Sequence, residues 1–148
     1  MTVSNHAITA ANLTLIVKSW WVLPIVLASH FIVDLLPHYG QMLGKRNRLF
    51  ILIQIIDALV LISVFVLVLS SPGVNFALML VAMAVACSPD LIWVYRFIRE
   101  SLGEKDIPKS WISKLHSKMN WMEFSWGWVV DIAWFSLMLF VFIKLLPT

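Results

Sequence analysis

Residues 49–70 read LFILIQIIDALVLISVFVLVLS, and this stretch decides the fold class. Apart from Gln54, Asp57 and two serines it is apolar. A helix rises about 1.5 Å per residue, so the stretch is long enough to cross roughly 30 Å of hydrocarbon. Ser71-Pro72-Gly73 follows directly and predicts a tight turn. We therefore expect a membrane-spanning helix that ends at this turn.

The composition of the whole chain agrees with this segment. Of its 148 residues, 61% are hydrophobic and 13% are charged, whereas soluble domains average about 45–50% and about 25%. This balance excludes a soluble globular domain and a disordered chain, and the length suits one membrane domain, residues 1–148. The single cysteine, Cys87, excludes a disulfide framework and a cysteine-based zinc cluster. Because there is no soluble basic domain, we expect no nucleic-acid partner.

Four further apolar segments complete the predicted architecture. They are residues 7–17, 22–36, 74–98 and 119–146, and Pro89 should kink the third of these. The fold class predicted is all-α, a polytopic membrane protein with about five transmembrane or membrane-embedded helices. Residues 5–18 would cover only about 21 Å as a helix. Four spans plus an interfacial N-terminal helix is therefore the alternative.

Most basic residues fall into two loops that these helices place on one side of the membrane. The positive-inside rule puts both loops in the cytoplasm, which leaves the N-terminus inside and the C-terminus outside. The second loop, residues 99–118, is the longest polar stretch of the chain. The basic residues concerned are Lys45, Arg46, Arg48, Arg96, Arg99, Lys105, Lys109, Lys114 and Lys118.

Acidic and histidine side chains interrupt the apolar segments, where they are costly. His30, Asp34 and His38 are four residues apart, so they share one face of the second helix. A second stripe, at spacings of four, three, four and four, is expected at the start of the last helix: His116, Asn120, Glu123, Gly127 and Asp131. The topology brings both groups to the cytoplasmic side, and it brings three further residues there: His6, Asp57 and Asp90.

This convergence predicts a divalent-metal site. A lone ionised carboxylate is not tolerated in hydrocarbon, so each one must be protonated, paired with a basic group or bound to a cation. Histidine and carboxylate are the usual protein ligands of zinc, manganese and iron. The alternative is that the same side chains hydrogen-bond to one another and hold neighbouring helices together.

Several short motifs carry a resemblance to a known family. They are NHAITA at residues 5–10, LASHFIVDLLPH at residues 27–38, Pro89-Asp90 and His116-Ser117. In this combination they resemble small bacterial inner-membrane proteins grouped as metal-dependent hydrolases, which are remotely similar to zinc-dependent phospholipase C and single-strand nucleases. The resemblance implies phosphoester hydrolysis in a bacterial inner membrane. Larger relatives carry Pro-Asp-x-Asp and a longer His-Arg motif, whose loss here implies fewer metal ions or a non-catalytic member.

The leading hypothesis is therefore a membrane-embedded, metal-dependent hydrolase of a phosphoester, lipid-linked, at the cytoplasmic interface. Water activated by the metal would be the nucleophile, with Glu123 or Asp57 as the general base. The phosphate-binding residues would be Lys45, Arg46 and Arg96. The cofactor would be zinc, with manganese or iron as alternatives, held by His6, His30, Asp34, His38, Asp90 and His116.

Two other functions stay open at this point. Intramembrane acids also form ion or proton pathways. In such a transporter Asp57 and Asp131 would matter most, with Asp131 as a relay. A single chain has too few helices to form a carrier alone, so the transporter would be a homo-oligomer. A non-catalytic scaffold would instead use the polar cluster for helix packing and would bind no metal. Membrane lipids are the expected partners in every case, and an anionic lipid is the expected substrate of the hydrolase.

Overall fold

The structure is a computed structural model that describes residues 1–39, 48–104, 111, 114, 118, 123–124 and 126–146. It is mostly helical, which confirms the predicted all-α class. A 3-10 turn at Ser88–Asp90 joins two of the helices, and two short strands pair with each other. The helices are α1 Val3–Val17, α2 Val22–Asp34, α3 Arg48–Leu69, α4 Phe76–Cys87, α5 Leu91–Ser101 and α6 Trp128–Leu145; the strands are β1 His38–Tyr39 and β2 Glu123–Phe124.

Helix α1 lies in the centre of the bundle. It is buried along almost its whole length and packs against α2, α3, α4 and α6. Ala7, Ala10 and Ala11 are completely buried, and such small side chains let neighbouring helices approach closely. An interfacial helix would keep one face outside the protein, so this placement argues against the alternative of an interfacial N-terminal helix.

Polar side chains of α1 pair with α6 at three successive levels. The residue numbers of the partners increase together on both helices, so α1 and α6 run in the same direction. These hydrogen bonds help to explain how a helix with several polar residues can be buried, because the side-chain nitrogens of Asn5 and Asn12 and the hydroxyl of Thr9 each find a partner on α6. The three pairs are Asn5 Nδ2 to the Asp131 carbonyl at 3.1 Å, Trp134 Nε1 to Thr9 Oγ1 at 3.0 Å and Asn12 Nδ2 to the Met138 carbonyl at 2.8 Å.

Two described helices are long and apolar enough to cross a membrane, namely Ile51–Leu69 and Trp128–Leu145. Only 17% and 11% of these segments are buried inside the protein, so neither is a mostly buried core helix. The other apolar helices, Val3–Val17, Val22–Asp34 and Phe76–Asp90, are shorter. The number of about five transmembrane or membrane-embedded helices thus remains a prediction.

The predicted turn and the predicted helix break are both confirmed. Residues 71–73 form the turn after α3, with Gly73 at a φ of 73° that suits glycine. Pro89 lies within the 3-10 turn that separates α4 from α5. It cannot donate a backbone hydrogen bond, so the α-helical pattern stops there.

The start of the last helix was predicted wrongly. The sequence pattern indicates a helix from residue 119, but α6 begins at Trp128 and Glu123 lies in β2, which pairs in parallel with β1. Gly127 precedes the helix, so it and Glu123 do not belong to the predicted polar stripe. Gly127 packs directly against β1, since a Cβ on Gly127 would lie 2.0 Å from the carbonyl carbon of His38.

We expect Gly127→Ala to destabilise the fold by about 2–3 kcal/mol, because the added methyl group forces the β1 backbone away from the bundle. Thermal unfolding of the purified protein, followed by circular dichroism, measures this loss. Val129→Ala is the control, since Val129 lies nearby on an exposed face of α6. Equal melting temperatures for the two variants would show that the close approach of Gly127 to β1 is wrong.

Candidate metal centre

Four of the predicted site residues meet at one end of the bundle, and we call them the His–Asp cluster: His6, His30, Asp34 and Asp90. His6 comes from the first turn of α1, while His30 and Asp34 lie one turn apart at the end of α2. Asp90 closes the 3-10 turn after α4. The cluster therefore depends on three separate parts of the chain.

Asp34 lies between the two histidines. Its Oδ1 is 3.1 Å from His6 Nε2, and its Oδ2 is 3.2 Å from His30 Nε2. The Met1 amino group also lies 2.5 Å from Asp34 Oδ1. A single carboxylate thus connects α1 to α2 and orients both imidazoles.

Asp90 faces the same two nitrogens from another direction. Its Oδ2 is 4.0 Å from His6 Nε2, and its Oδ1 is 4.0 Å from His30 Nε2. The two imidazole rings stack with centroids 4.0 Å apart. One ligand atom from each of His6, His30 and Asp90 lies within 4.8 Å of the others. Each histidine therefore stands between two carboxylates.

The cluster is almost completely shielded from solvent. The side chains of His6 and His30 are fully buried and that of Asp34 is 1% exposed, whereas that of Asp90 is 17% exposed. Within the described part of the chain, His6 Nδ1 has no hydrogen-bond partner. A buried imidazole nitrogen without a partner is costly. Since Asp90 is the most exposed side chain of the four, access to the cluster from outside the protein is on the Asp90 side.

The geometry of the cluster fits a divalent metal. Neighbouring ligand atoms of a tetrahedral zinc site are about 3.4 Å apart. The four nitrogen–oxygen distances in the cluster, 3.1, 3.2, 4.0 and 4.0 Å, bracket that value. Two imidazoles with two carboxylates are also a ligand set that zinc, iron and manganese accept. Among the described residues, His6, His30 and Asp90 are the three whose ligand atoms lie close enough together to hold one ion.

His38, the third histidine of the α2 motif, does not belong to this group of ligand atoms. Helix α2 ends at Asp34, so the predicted helical spacing does not extend to His38, which begins β1. Its Nδ1 donates to the Leu36 carbonyl at 2.8 Å. Burial disfavours the charged imidazolium and lowers the pKa of His38 below its usual value. A neutral ring is therefore expected there.

Asp57, a predicted catalytic residue, caps the first turn of α1. Its carboxylate accepts from the backbone N–H of Val3 at 3.0 Å, from that of Ser4 at 3.2 Å and from the Ser4 hydroxyl. The first amides of a helix lack partners within the helix and carry partial positive charge. This carboxylate from α3 therefore holds the helix turn that carries His6.

Asp131, the predicted relay, fastens α6 to two other elements. Its Oδ2 accepts from the backbone N–H of Tyr39 at 2.8 Å. Its Oδ1 accepts from Asn5 Nδ2 at 3.3 Å. Asn5 precedes His6 in the chain, so Asp131 supports the cluster through α1 and β1. The sequence reasoning overlooked Ser4 and Asn5, although two polar residues directly before a histidine at the start of an apolar helix were a usable signal.

Among the remaining predicted residues, the structure describes the side chain of Glu123 alone. Glu123, the other predicted general base, is partly buried in β2 opposite His38 in the strand register. His116, Lys45 and Arg46 lie outside the described residues, and so does the side chain of Arg96. Their predicted roles in metal and phosphate binding therefore remain predictions.

Comparisons with known proteins identify no relative of this chain. No protein-family model, curated protein or solved structure matches it. The resemblance to bacterial inner-membrane hydrolases therefore remains an inference from the quoted motifs. What the chain can do must be argued from the geometry of its own residues.

Proposed function

We propose that this protein is an integral membrane metal-dependent hydrolase whose metal centre is the His–Asp cluster. The observation that carries the proposal is the position of two buried imidazoles, each between the same two carboxylates. Buried groups of this kind are functional candidates because they are costly and serve no purpose as plain hydrophobic packing.

The membrane part of the proposal rests on the outward faces of α3 and α6. Large apolar side chains are exposed along both helices, for example Ile55, Leu59 and Ile62 on α3 and Phe140 and Ile143 on α6. Water-soluble proteins rarely expose contiguous apolar surface of this extent. Lipid acyl chains would cover it without cost.

The electrostatics of the cluster favour a metal ion over protonated histidines. Buried carboxylates need cationic partners, which protonation, the Met1 amino group or a metal could supply. Two imidazolium rings stacked at 4.0 Å would repel each other. One divalent ion at the centre would interact with both carboxylates and leave both rings neutral. Zinc suits this donor set best, and manganese and iron are the alternatives.

In the proposed hydrolase, His6, His30 and Asp90 would bind the metal, and Asp34 would bind it or orient both imidazoles. The metal would supply Lewis-acid activation of water and of a phosphoryl oxygen. Burial on the other sides would restrict access to the side of Asp90. Asp57 and Asp131 accept hydrogen bonds from the backbone that supports the cluster, so we assign them positioning roles rather than proton transfer.

The proposed substrate is a phosphoester at the cytoplasmic membrane interface. Basic residues of the two loops, among them Lys45, Arg46 and Arg96, would attract its phosphate. The bacterial inner membrane is the proposed location, with the N-terminus in the cytoplasm.

Hydrolysis by the reconstituted protein tests this function. Zinc-loaded wild type in lipid vesicles is expected to cleave a fluorescent phosphatidylglycerol or soluble bis(p-nitrophenyl) phosphate, and Asp90→Ala is expected to reduce turnover by about 100-fold or more. A chelator should abolish activity and added zinc should restore it. Equal turnover by wild type and Asp90→Ala, or bound zinc without turnover of either compound, would contradict the proposal.

Zinc affinity is expected to fall as the pH is lowered, because protons compete with the metal for imidazole nitrogen. Once the histidines are largely protonated, affinity should fall by about tenfold per pH unit for each histidine ligand. Isothermal titration calorimetry at several pH values measures this slope. An affinity that does not fall at any pH at which the protein stays folded would exclude histidine as a ligand.

A further inference from the structure

Helix α5 carries an apolar stripe that no described part of the protein covers. Counted from its first member, the others lie three, four, seven and eleven residues further along, so they share one face of the helix. We call this face the α5 stripe. Each of its residues is at least half exposed: Leu91, Val94, Tyr95, Ile98 and, just beyond the end of the helix, Leu102.

The composition of α5 differs from that of the two long apolar helices. It contains three charged residues in Leu91–Ser101, namely Arg96, Arg99 and Glu100, whereas the candidate span Ile51–Leu69 contains only Asp57. Its 11 residues would cover only about 16 Å. A short, charged helix with one exposed apolar face is typical of a helix that lies in the plane of a membrane surface.

The charged residues of α5 and of the sequence that follows it indicate which kind of surface the helix binds. The chain that follows adds Lys105, Lys109, Lys114 and Lys118. Each basic residue close to an anionic leaflet contributes about 1 kcal/mol of attraction. Arg99 pairs with Glu104 at 2.6 Å and lies 5.6 Å from the centre of the Tyr95 ring. Tyrosine itself is favoured at the membrane interface.

We propose that α5 lies on the membrane surface, with the α5 stripe inserted at the boundary of headgroups and acyl chains in an anionic leaflet. This inference rests on the membrane part of the proposed function and needs no bound metal. Asp90 is joined to α5 without a linker, since Leu91 is the first residue of the helix. The open side of the His–Asp cluster then lies at headgroup depth. The substrate class of the hydrolase is accordingly a lipid headgroup phosphoester.

Depth measurements along two helices of the full chain test the inference. Single cysteines replace Val94, Ile98 and Leu102 on α5 in a Cys87→Ser background. Each carries a fluorescent label, and the proteins are placed in lipid nanodiscs with phosphatidylglycerol. Quenching by lipids that carry nitroxides at the headgroup, the fifth or the twelfth acyl carbon gives the depth of each label. Circular dichroism confirms that each variant is folded.

The three α5 positions are expected to lie at one shallow depth, although they span about 12 Å of helix. A control series at Ile55, Leu59 and Ile62, exposed on α3, should instead change in depth by about 10 Å. In nanodiscs of phosphatidylcholine alone, quenching at α5 should weaken while that at α3 stays the same.

The outcomes separate the inference from the proposal on which it rests. A depth gradient along α5 would make it part of a span, and the absence of lipid quenching at α5 would mean that water or protein covers the stripe. Either result overturns the inference while the α3 gradient stands. Equal α5 quenching in both lipids overturns the preference for an anionic leaflet. If the α3 labels all lay at one depth, or were not quenched by the lipids, membrane insertion would be contradicted, whatever the metal content of the protein.

Discussion

Asp34→Ala is expected to weaken zinc binding by about 100-fold. Asp34 contacts both histidines of the cluster at 3.1 and 3.2 Å. Without its carboxylate, both rings lose the group that orients them, and the site loses a negative charge that attracts the cation. Titration calorimetry with zinc, on wild type and variant in the same detergent, measures the change.

Two further variants keep this prediction falsifiable if Asp34→Ala folds poorly. Asp34→Asn keeps the shape of the side chain and one acceptor oxygen, and it is expected to give an intermediate affinity. Glu123→Gln removes a carboxylate from β2, outside the close group of ligand atoms, and should leave the affinity within about twofold of wild type. Unchanged zinc binding by folded Asp34→Asn and Asp34→Ala would remove Asp34 from the metal centre.

Asp57→Ala is expected to destabilise the fold by about 2–5 kcal/mol, because buried donors without an acceptor cost about 1–3 kcal/mol each. The donors concerned are the Val3 and Ser4 amides and the Ser4 hydroxyl. Unfolding of the detergent-solubilised protein by sodium dodecyl sulfate, followed by circular dichroism, measures the loss. Gln54→Ala is the matched control, since Gln54 is exposed one turn earlier on α3.

A second substitution, Asp57→Asn, distinguishes a helix cap from a metal ligand. Asp57→Asn keeps an acceptor oxygen for part of the α1 terminus, so it should fold with an intermediate stability and bind zinc in the same stoichiometry as wild type. Loss of zinc from a folded Asp57→Asn protein would show that Asp57 acts at the metal centre, as the catalytic role predicted from the sequence requires. Wild-type stability of Asp57→Ala would contradict the capping contact.

The convergence of the cluster could be predicted from sequence because it depends on topology alone. Antiparallel apolar segments bring alternate ends to the same side. This reasoning was sufficient to place His6, His30, Asp34 and Asp90 at one end of the bundle. The spacing of His30 and Asp34 was equally informative, since residues one turn apart on a helix must share a face.

The separation of binding carboxylates from structural ones could not be predicted in the same way. Asp57, Asp90 and Asp131 all look like isolated acids in apolar sequence, and only tertiary contacts show that Asp57 caps α1 while Asp131 binds Tyr39. The β1–β2 pair was overlooked for a related reason. It is two residues long on each side and depends on the close approach of Gly127, which leaves no periodic pattern in the sequence.

We expect the His–Asp cluster to bind a divalent metal, and elemental analysis of the wild-type protein measures whether it does. The protein is purified without chelators, reloaded with zinc, freed of excess metal by gel filtration and analysed by mass spectrometry for zinc, manganese and iron. We predict about one tightly bound ion per chain, with zinc preferred after reloading. A folded protein that carries no transition metal after reloading would contradict the claim and would leave helix packing as the role of the cluster.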